Sequence, residues 1–309
     1  MLDFCRHYYR GNSKQQKLID EFEDTYRPED AILWYSKQSF IYKLVNKALR
    51  CEDTDLLHTF RFFIGDLSES LAREHKKILH SGDRILKVYR GVKLSNEELD
   101  KLRNSEGKLI STNGFLSTSR LRQPALAFAS KLTKRKNVVP VLFQIKFDVQ
   151  QLGESINFAD IAKFSQYPNE QEVLFNFSAA FRIETIQQDG PVWLINMNAS
   201  KDGETITHDY IELTRQETEE KTVSIMLGRL MCDMGQYDKS QKYFEQLLLE
   251  SNGEDVSSIE LNIGRVLYFK ADWEPALDYY NRAYKRMINT DPPRIKESAY
   301  VLDNIGAIF

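Results

Sequence analysis

The chain has 309 residues, 42% of them hydrophobic and 28% charged, and a net charge of −3 at pH 7. That balance is ordinary for a globular protein; the length suggests about two domains of ~150 residues, and the charge gives no reason to expect a nucleic-acid partner. Cys5, Cys51 and Cys232 are odd in number and lack Cys-x-x-Cys spacing, so neither a disulfide framework nor a metal site is expected; without a leader-like start or a membrane-length apolar run, the expected setting is reducing and cytoplasmic, with no membrane partner.

Residues 1–30 read as polar, and Arg27-Pro28-Glu29-Asp30 marks a helix start, with proline near the first turn and acids after it. From Ala31 to Arg50 apolar residues recur at helical spacing: Leu33, Phe40, Ile41, Leu44, Val45 and Ala48. A second helix is expected from Asp53 to Leu79, with Leu56, Phe60, Phe63, Ile64, Leu67 and Leu71 on one stripe and Ser81-Gly82-Asp83 as its stop. The texture then changes to β-branched and aromatic runs. Strands are expected over 85–94, 114–119, 138–147, 171–177, 181–187 and 192–198, and one more over His208–Leu213. Short helices are expected over 96–104, capped by Ser95 or Asn96, and over 123–132; Pro140 belongs at a strand edge or start.

From about Gln216 the pattern is helical throughout and repeats. Leu227-Gly228-Arg229 recurs 36 residues later as Ile263-Gly264-Arg265; Tyr237 aligns with Trp273, and Tyr243-Phe244 with Tyr279-Tyr280. Asn262-Ile263-Gly264 is echoed at Asn304-Ile305-Gly306, 42 residues on. Small residues where two helices cross, repeating near every 34 residues, resemble tetratricopeptide repeats, which bind peptides or proteins in a concave groove. A third repeat with only its opening suggests a piece of a longer protein.

Three short elements carry chemistry: Tyr89-Arg90-Gly91, Gly114-Phe115-Leu116-Ser117-Thr118-Ser119, and Glu170-Gln171-Glu172. Glu-x-Glu also occurs at Glu21/Glu23 and Glu217/Glu219, so the spacing alone proves little. On a strand, residues i and i+2 share a face, and two carboxylates there repel and raise one pKa. One can stabilise an oxocarbenium-like ribose while the other orients a nucleophile and accepts its proton. Arg90 suits a pyrophosphate, Gly91 allows close backbone approach to a planar ring, and Ser117 can support the ribose or orient Glu172. Tyr167, in the turn Tyr167-Pro168-Asn169, is placed to meet a macromolecular substrate.

In these elements the chain resembles arginine-specific mono-ADP-ribosyltransferases of the Arg–Ser–Glu class, over about residues 28–198. The resemblance implies an α+β domain, with helices on two small, mostly antiparallel sheets and a cleft between them, followed by an all-α repeat segment. It implies NAD as co-substrate, no metal, Arg90, Gly91, Ser117, Thr118 and Ser119 as cofactor-binding, and Glu172, Glu170 and Ser117 as catalytic. A glutamate at 170 goes with an arginine acceptor, contacted by Tyr167 and Glu170. The expected domains are 1–215, with its motif core at 85–198, and 216–309. No second phosphate-binding residue is assigned beyond the candidates Arg120 and Arg122. The alternatives are an NAD glycohydrolase and a non-catalytic interaction protein that uses the repeats as a platform for an unknown protein or peptide. His75 and His80 read as surface residues, His58 as packed and Phe164 as a core or loop anchor. Lys131, Lys134, Arg135 and Lys136 read as a solvated basic face.

Overall fold

The computed structural model describes residues 1–37, 39–80, 85–133, 137–165, 168–177, 179–217, 222–250 and 253–309. Among them the chain divides into two compact units, Met1–Tyr210 and Ile211–Phe309.

The first unit opens with five helices: α1 (Leu2–Tyr8), α2 (Ser13–Thr25), α3 (Ala31–Ser36), α4 (Phe40–Arg50) and α5 (Thr54–Leu79). The stretch 1–30, expected as a polar lead-in, is thus largely helical. It buries few side chains, Cys5, Ile19 and Phe22 among them, which is why its periodicity is faint. Burial pushes the Cys5 thiol up to about 12. The helix expected over 31–50 is two helices: Lys37 ends α3, and Ser39 at φ −75, ψ −166 is extended before α4. Asp53 caps α5 by accepting from the Leu56 amide at 3.2 Å. Phe60, Phe63, Leu67 and Leu71 of α5 join Trp34, Tyr35, Phe40 and Leu44 in a helical core.

The strands are β1 (Ile85–Ser95), β2 (Leu109–Ser111), β3 (Leu116–Ser119), β4 (Val138–Asp148), β5 (Phe158–Asp160), β6 (Glu172–Phe175), β7 (Ala180–Asp189) and β8 (Val192–Ala199). Between them lie α6 (Asn96–Arg103), α7 (Arg122–Ser130) and α8 (Val149–Leu152). Ser95 caps α6 in a reciprocal box with Glu98. The strands form one eight-stranded sheet, ordered β2-β7-β8-β4-β1-β3-β6-β5, where two small sheets were expected. The reason is a single residue pair: β1 meets β3 at Tyr89↔Ser119, joining a five-stranded part to a three-stranded part. All neighbours are antiparallel except β4 and β8. Pro140 pairs with Lys93 of β1 but lies before β8 contact begins at Val141, so its missing N–H breaks no ladder on that side.

The three-stranded part is packed on both faces. Leu174 of β6 and Ala159 of β5 join the helical core, while Val173, Phe175 and Phe158 join a second core with Val141, Ile145, Phe181 and Ile195. The strand expected over His208–Leu213 is instead part of helix α9 (Asp202–Glu217). Its β-branched residues suggested a strand, but acids at Asp202 and Glu204 favour a helix start, and Thr207 bonds back to the Gly203 carbonyl at 2.9 Å.

The second unit holds α10 (Val223–Asp233), α11 (Tyr237–Glu250), α12 (Val256–Phe269), α13 (Trp273–Ile288) and α14 (Ile295–Gly306). The repeat seen in the sequence is a repeat of contacts. A Cβ on Gly228 would stand 2.3 Å from the Phe244 ring, and one on Gly264 would stand 2.6 Å from the Tyr280 ring. Both pairs span 16 residues and lie 36 apart. Gly306, in the third echo, meets nothing within 4 Å. Asp255 caps α12, accepting from the Ser257 and Ser258 amides at 3.2 Å, and takes Arg294 at 2.7 Å. Burial pushes its carboxyl up, but the bonds from Ser258, Arg294 and Ser257 outweigh that and hold it at about 2.

Candidate active site

The single pair Tyr89↔Ser119 is the seam of the sheet. Beyond it β1 runs on through Arg90 and Gly91 while β3 runs back through Thr118 and Ser117, and these residues are not paired with each other. Arg90 reaches across this parting: its Nη1 donates to the Ser117 carbonyl at 2.6 Å. Ser117 and Ser119 lie on one face of β3, and Leu116 and Thr118 are buried on the other. The Ser117 hydroxyl donates to Glu172 Oε1 in a short hydrogen bond. β3 and β6 pair directly, with Ser117↔Leu174 and Ser119↔Glu172 in register, so the serine and carboxylate meet across adjacent strands.

Glu172 opens β6 and is half-buried. Its carboxyl is held above the usual range, first by burial and further by Glu170, against the Ser117 hydrogen bond and the Arg90 charge. The two carboxylates therefore interact, but not as strand neighbours. Glu170 is exposed and ends a 3-10 turn, Pro168–Glu170. Gln171 is left-handed at φ 44, so the backbone turns between the two acids. The expected i, i+2 sharing of a strand face is corrected to a turn that delivers Glu170 and a strand that holds Glu172.

The Ser119 hydroxyl donates to the Glu170 carbonyl at 2.6 Å and accepts from the Leu121 amide at 3.0 Å. Thr118 is buried and donates to the Val173 carbonyl at 2.7 Å. Both hydroxyls bond the protein's own main chain. Gly91 is buried, and the space a side chain would need is filled by α7, with the Ala125 carbonyl oxygen 1.8 Å from an ideal Cβ. The two phosphate candidates are engaged in ion pairs, Arg120 with Asp160 at 3.1 Å and Arg122 with Asp189 at 3.0 Å. Tyr167 lies outside the described residues, as do residues 134–136 of the basic run and Ser81-Gly82-Asp83. Lys131 is exposed.

Residues 11–214 match the family described as ADP-ribosyltransferase exoenzyme. The chain belongs to that family. ADP-ribosyltransferases use NAD as co-substrate. A second match, to the tetratricopeptide repeat, covers residues 221–289. Solved structures similar to this ADP-ribosyltransferase include Vis toxin from Vibrio splendidus, with 24% identity and a TM-score of 0.41 over 62% of this chain and 87% of that one. HopU1 of Pseudomonas syringae pv. Tomato DC3000 is 19% identical, with a TM-score of 0.43 over 64% and 87%. Exoenzyme S of Pseudomonas aeruginosa, solved with human 14-3-3 protein beta and carba-NAD, is 17% identical, with a TM-score of 0.41 over 64% and 86%. No curated protein matches the chain.

Two residues near the site of this ADP-ribosyltransferase were not singled out from sequence. Tyr35 is fully buried, and Arg90 and Glu172 both act on it electrostatically; burial pushes its phenol up, so it stays neutral. Its hydroxyl accepts from Asn46 Nδ2 at 2.9 Å, and that amide also donates to the Tyr42 carbonyl. The signal was available: Asn46 is an amide within the apolar stripe of α4. The histidine readings change as well. His75 is fully buried, its ring nitrogens 3.2 Å from the Phe158 carbonyl and 2.8 Å from that of Gly153. His58, expected to pack, is exposed beside Arg61. His80 is exposed, and Phe164 packs against the helical core. Among the described residues no helix is long and apolar enough to cross a membrane.

Proposed function

We propose that this ADP-ribosyltransferase modifies arginine side chains of proteins, with residues 1–215 as the NAD-binding domain and the repeats from 216 as a platform for a protein or peptide partner. The observation that supports it best is the Ser117-held Glu172, with Glu170 close enough to raise its pKa and Arg90 bonded to the Ser117 carbonyl from the other side of β3. NAD supplies the ADP-ribosyl group, with nicotinamide as the leaving group. Arg90 pairs with the phosphates through donors beyond the one that holds the Ser117 carbonyl; a guanidinium carries five. Ser117 fixes the Glu172 carboxylate, which holds a ribose hydroxyl and offsets the positive charge that develops on the sugar. Glu170, exposed on its turn, orients the incoming guanidinium and accepts its proton. A guanidinium has a pKa above ~12, so it needs that assistance to act as a nucleophile. Three free cysteines suit a reducing compartment such as the cytoplasm.

The test is nicotinamide release from NAD by the wild type and Glu172→Gln, with and without agmatine as an arginine analogue. Release that rises with agmatine and falls ~10²–10⁴-fold in the variant is expected, the range for losing a positioned acid–base group. Release indifferent to agmatine would point to NAD hydrolysis or another acceptor. No release under any condition would overturn the reading.

A further inference from the structure

Two serines on the same face of β3 serve the two acids differently. Ser117 bonds the Glu172 side chain, whereas Ser119 bonds the Glu170 main chain. The Ser119 hydroxyl also accepts from the Leu121 amide, so it ties the acidic turn to the residue that precedes α7. The Arg120 amide donates to the Gln171 carbonyl at 3.1 Å, a second tie from the same stretch to the same turn. The turn needs such ties. Gln171 holds φ 44, a left-handed conformation that side-chain-bearing residues rarely adopt. Glu170 is exposed, so packing does little to fix it. Glu172 has an independent anchor in β6, where Val173, Leu174 and Phe175 are all buried.

We infer that Ser119 is a positioning residue that sets the balance between transfer and hydrolysis: it holds the Glu170 turn in register with Glu172, without acting on the donor side of the site. This rests on the proposed arginine transfer. Loss of the hydroxyl frees the turn to leave the left-handed conformation and moves Glu170 away from the acceptor. Glu172, Ser117 and Arg90 keep their contacts. Water then competes for the ribose that the guanidinium would have attacked.

The experiment uses the full chain with NAD, with and without agmatine, and quantifies ADP-ribosyl-agmatine and free ADP-ribose by chromatography. Ser119→Ala is expected to lower the agmatine-to-water product ratio about 10- to 100-fold, the scale for misplacing a reacting group by about 1 Å. NAD hydrolysis without agmatine reads the donor side separately and should fall less than agmatine transfer, because Glu172 keeps its own anchor. Ser119→Thr retains a hydroxyl and should restore the ratio. Gln171→Val keeps the serine but penalises the left-handed backbone, and should lower the ratio as Ser119→Ala does. An unchanged ratio in Ser119→Ala would overturn the inference while leaving arginine transfer intact. Equal loss of both products, with an unchanged melting temperature, would also overturn it and give Ser119 a donor-side role. A wild type that makes no agmatine adduct overturns this inference together with the reading beneath it.

Discussion

Gly91 offers a test that separates two physical reasons for one residue. The sequence suggested that its missing side chain admits a planar ring. The structure gives it another occupant, α7. A Cβ at position 91 would lie 1.8 Å from the Ala125 carbonyl oxygen, 2.8 Å from its carbonyl carbon and 2.8 Å from the Ala129 nitrogen. Ordinary contacts between such atoms are ~3.5 Å, so Gly91→Ala falls short by about 1.7 Å at the Ala125 oxygen and about 0.7 Å at the other two main-chain atoms. No rotamer change can relieve this, and trimming Ala125 to glycine would leave the oxygen in place. Overpacking that side chains can absorb costs ~1–3 kcal/mol, so an obstruction made of backbone should cost at least about 3 kcal/mol. In a domain of roughly 200 residues, 1 kcal/mol moves the melting temperature by ~2–4 °C, which predicts a fall of about 6–12 °C. Thermal unfolding followed by circular dichroism reads it directly. Gly91→Ala with an unchanged melting temperature and lost NAD binding would refute the packing argument and restore the ligand-approach one.

The raised pKa of Glu172 makes it a stability liability as well as a reactive group. A carboxyl whose pKa is higher folded than unfolded binds its proton more tightly in the native state. Stability is then lost as pH rises from the ordinary carboxylate range through the raised value. Glu172→Gln should melt higher than wild type at pH 7, with the difference vanishing below pH ~4, where the acid is protonated in both states; a gap constant with pH would show that packing, not charge, is responsible. In the helical unit, Gly264→Ala should destabilise by about 1–2 kcal/mol, since the Tyr280 clash exceeds the ~1 kcal/mol gained in helix propensity. Gly306→Ala, with open space around it, should be neutral or stabilising by up to ~1 kcal/mol. Denaturant titration of the two variants checks the contrast.

Much of the candidate site was legible because its residues sit on strands rich in apolar, buried neighbours. Arg90 lies two residues after the buried Val88, and Glu172 precedes a run that is buried throughout. The three-residue strands β2 and β5 were not legible, because three residues show no period. The Glu170–Gln171–Glu172 backbone was misread for a related reason. Strand propensity in Val173–Phe175 extends visually across Glu170, whereas a left-handed glutamine gives no compositional warning of the kind a glycine would. His75 was misread because its neighbours, the Gly153 and Phe158 carbonyls, are about 80 positions away in sequence. The glycine–aromatic pairs of the repeats were the reverse case: the repeat printed one contact twice, so the sequence alone could align it.

The burial of β6 on both faces also bears on how such a site could diversify. Val173 and Phe175 are committed to one core and Leu174 to the other, so every position of the strand is tied to a packed layer. The residues just ahead, Pro168 to Gln171, are exposed and join neither core. A substitution in that turn therefore meets no filled core, whereas one in the strand that carries Glu172 does.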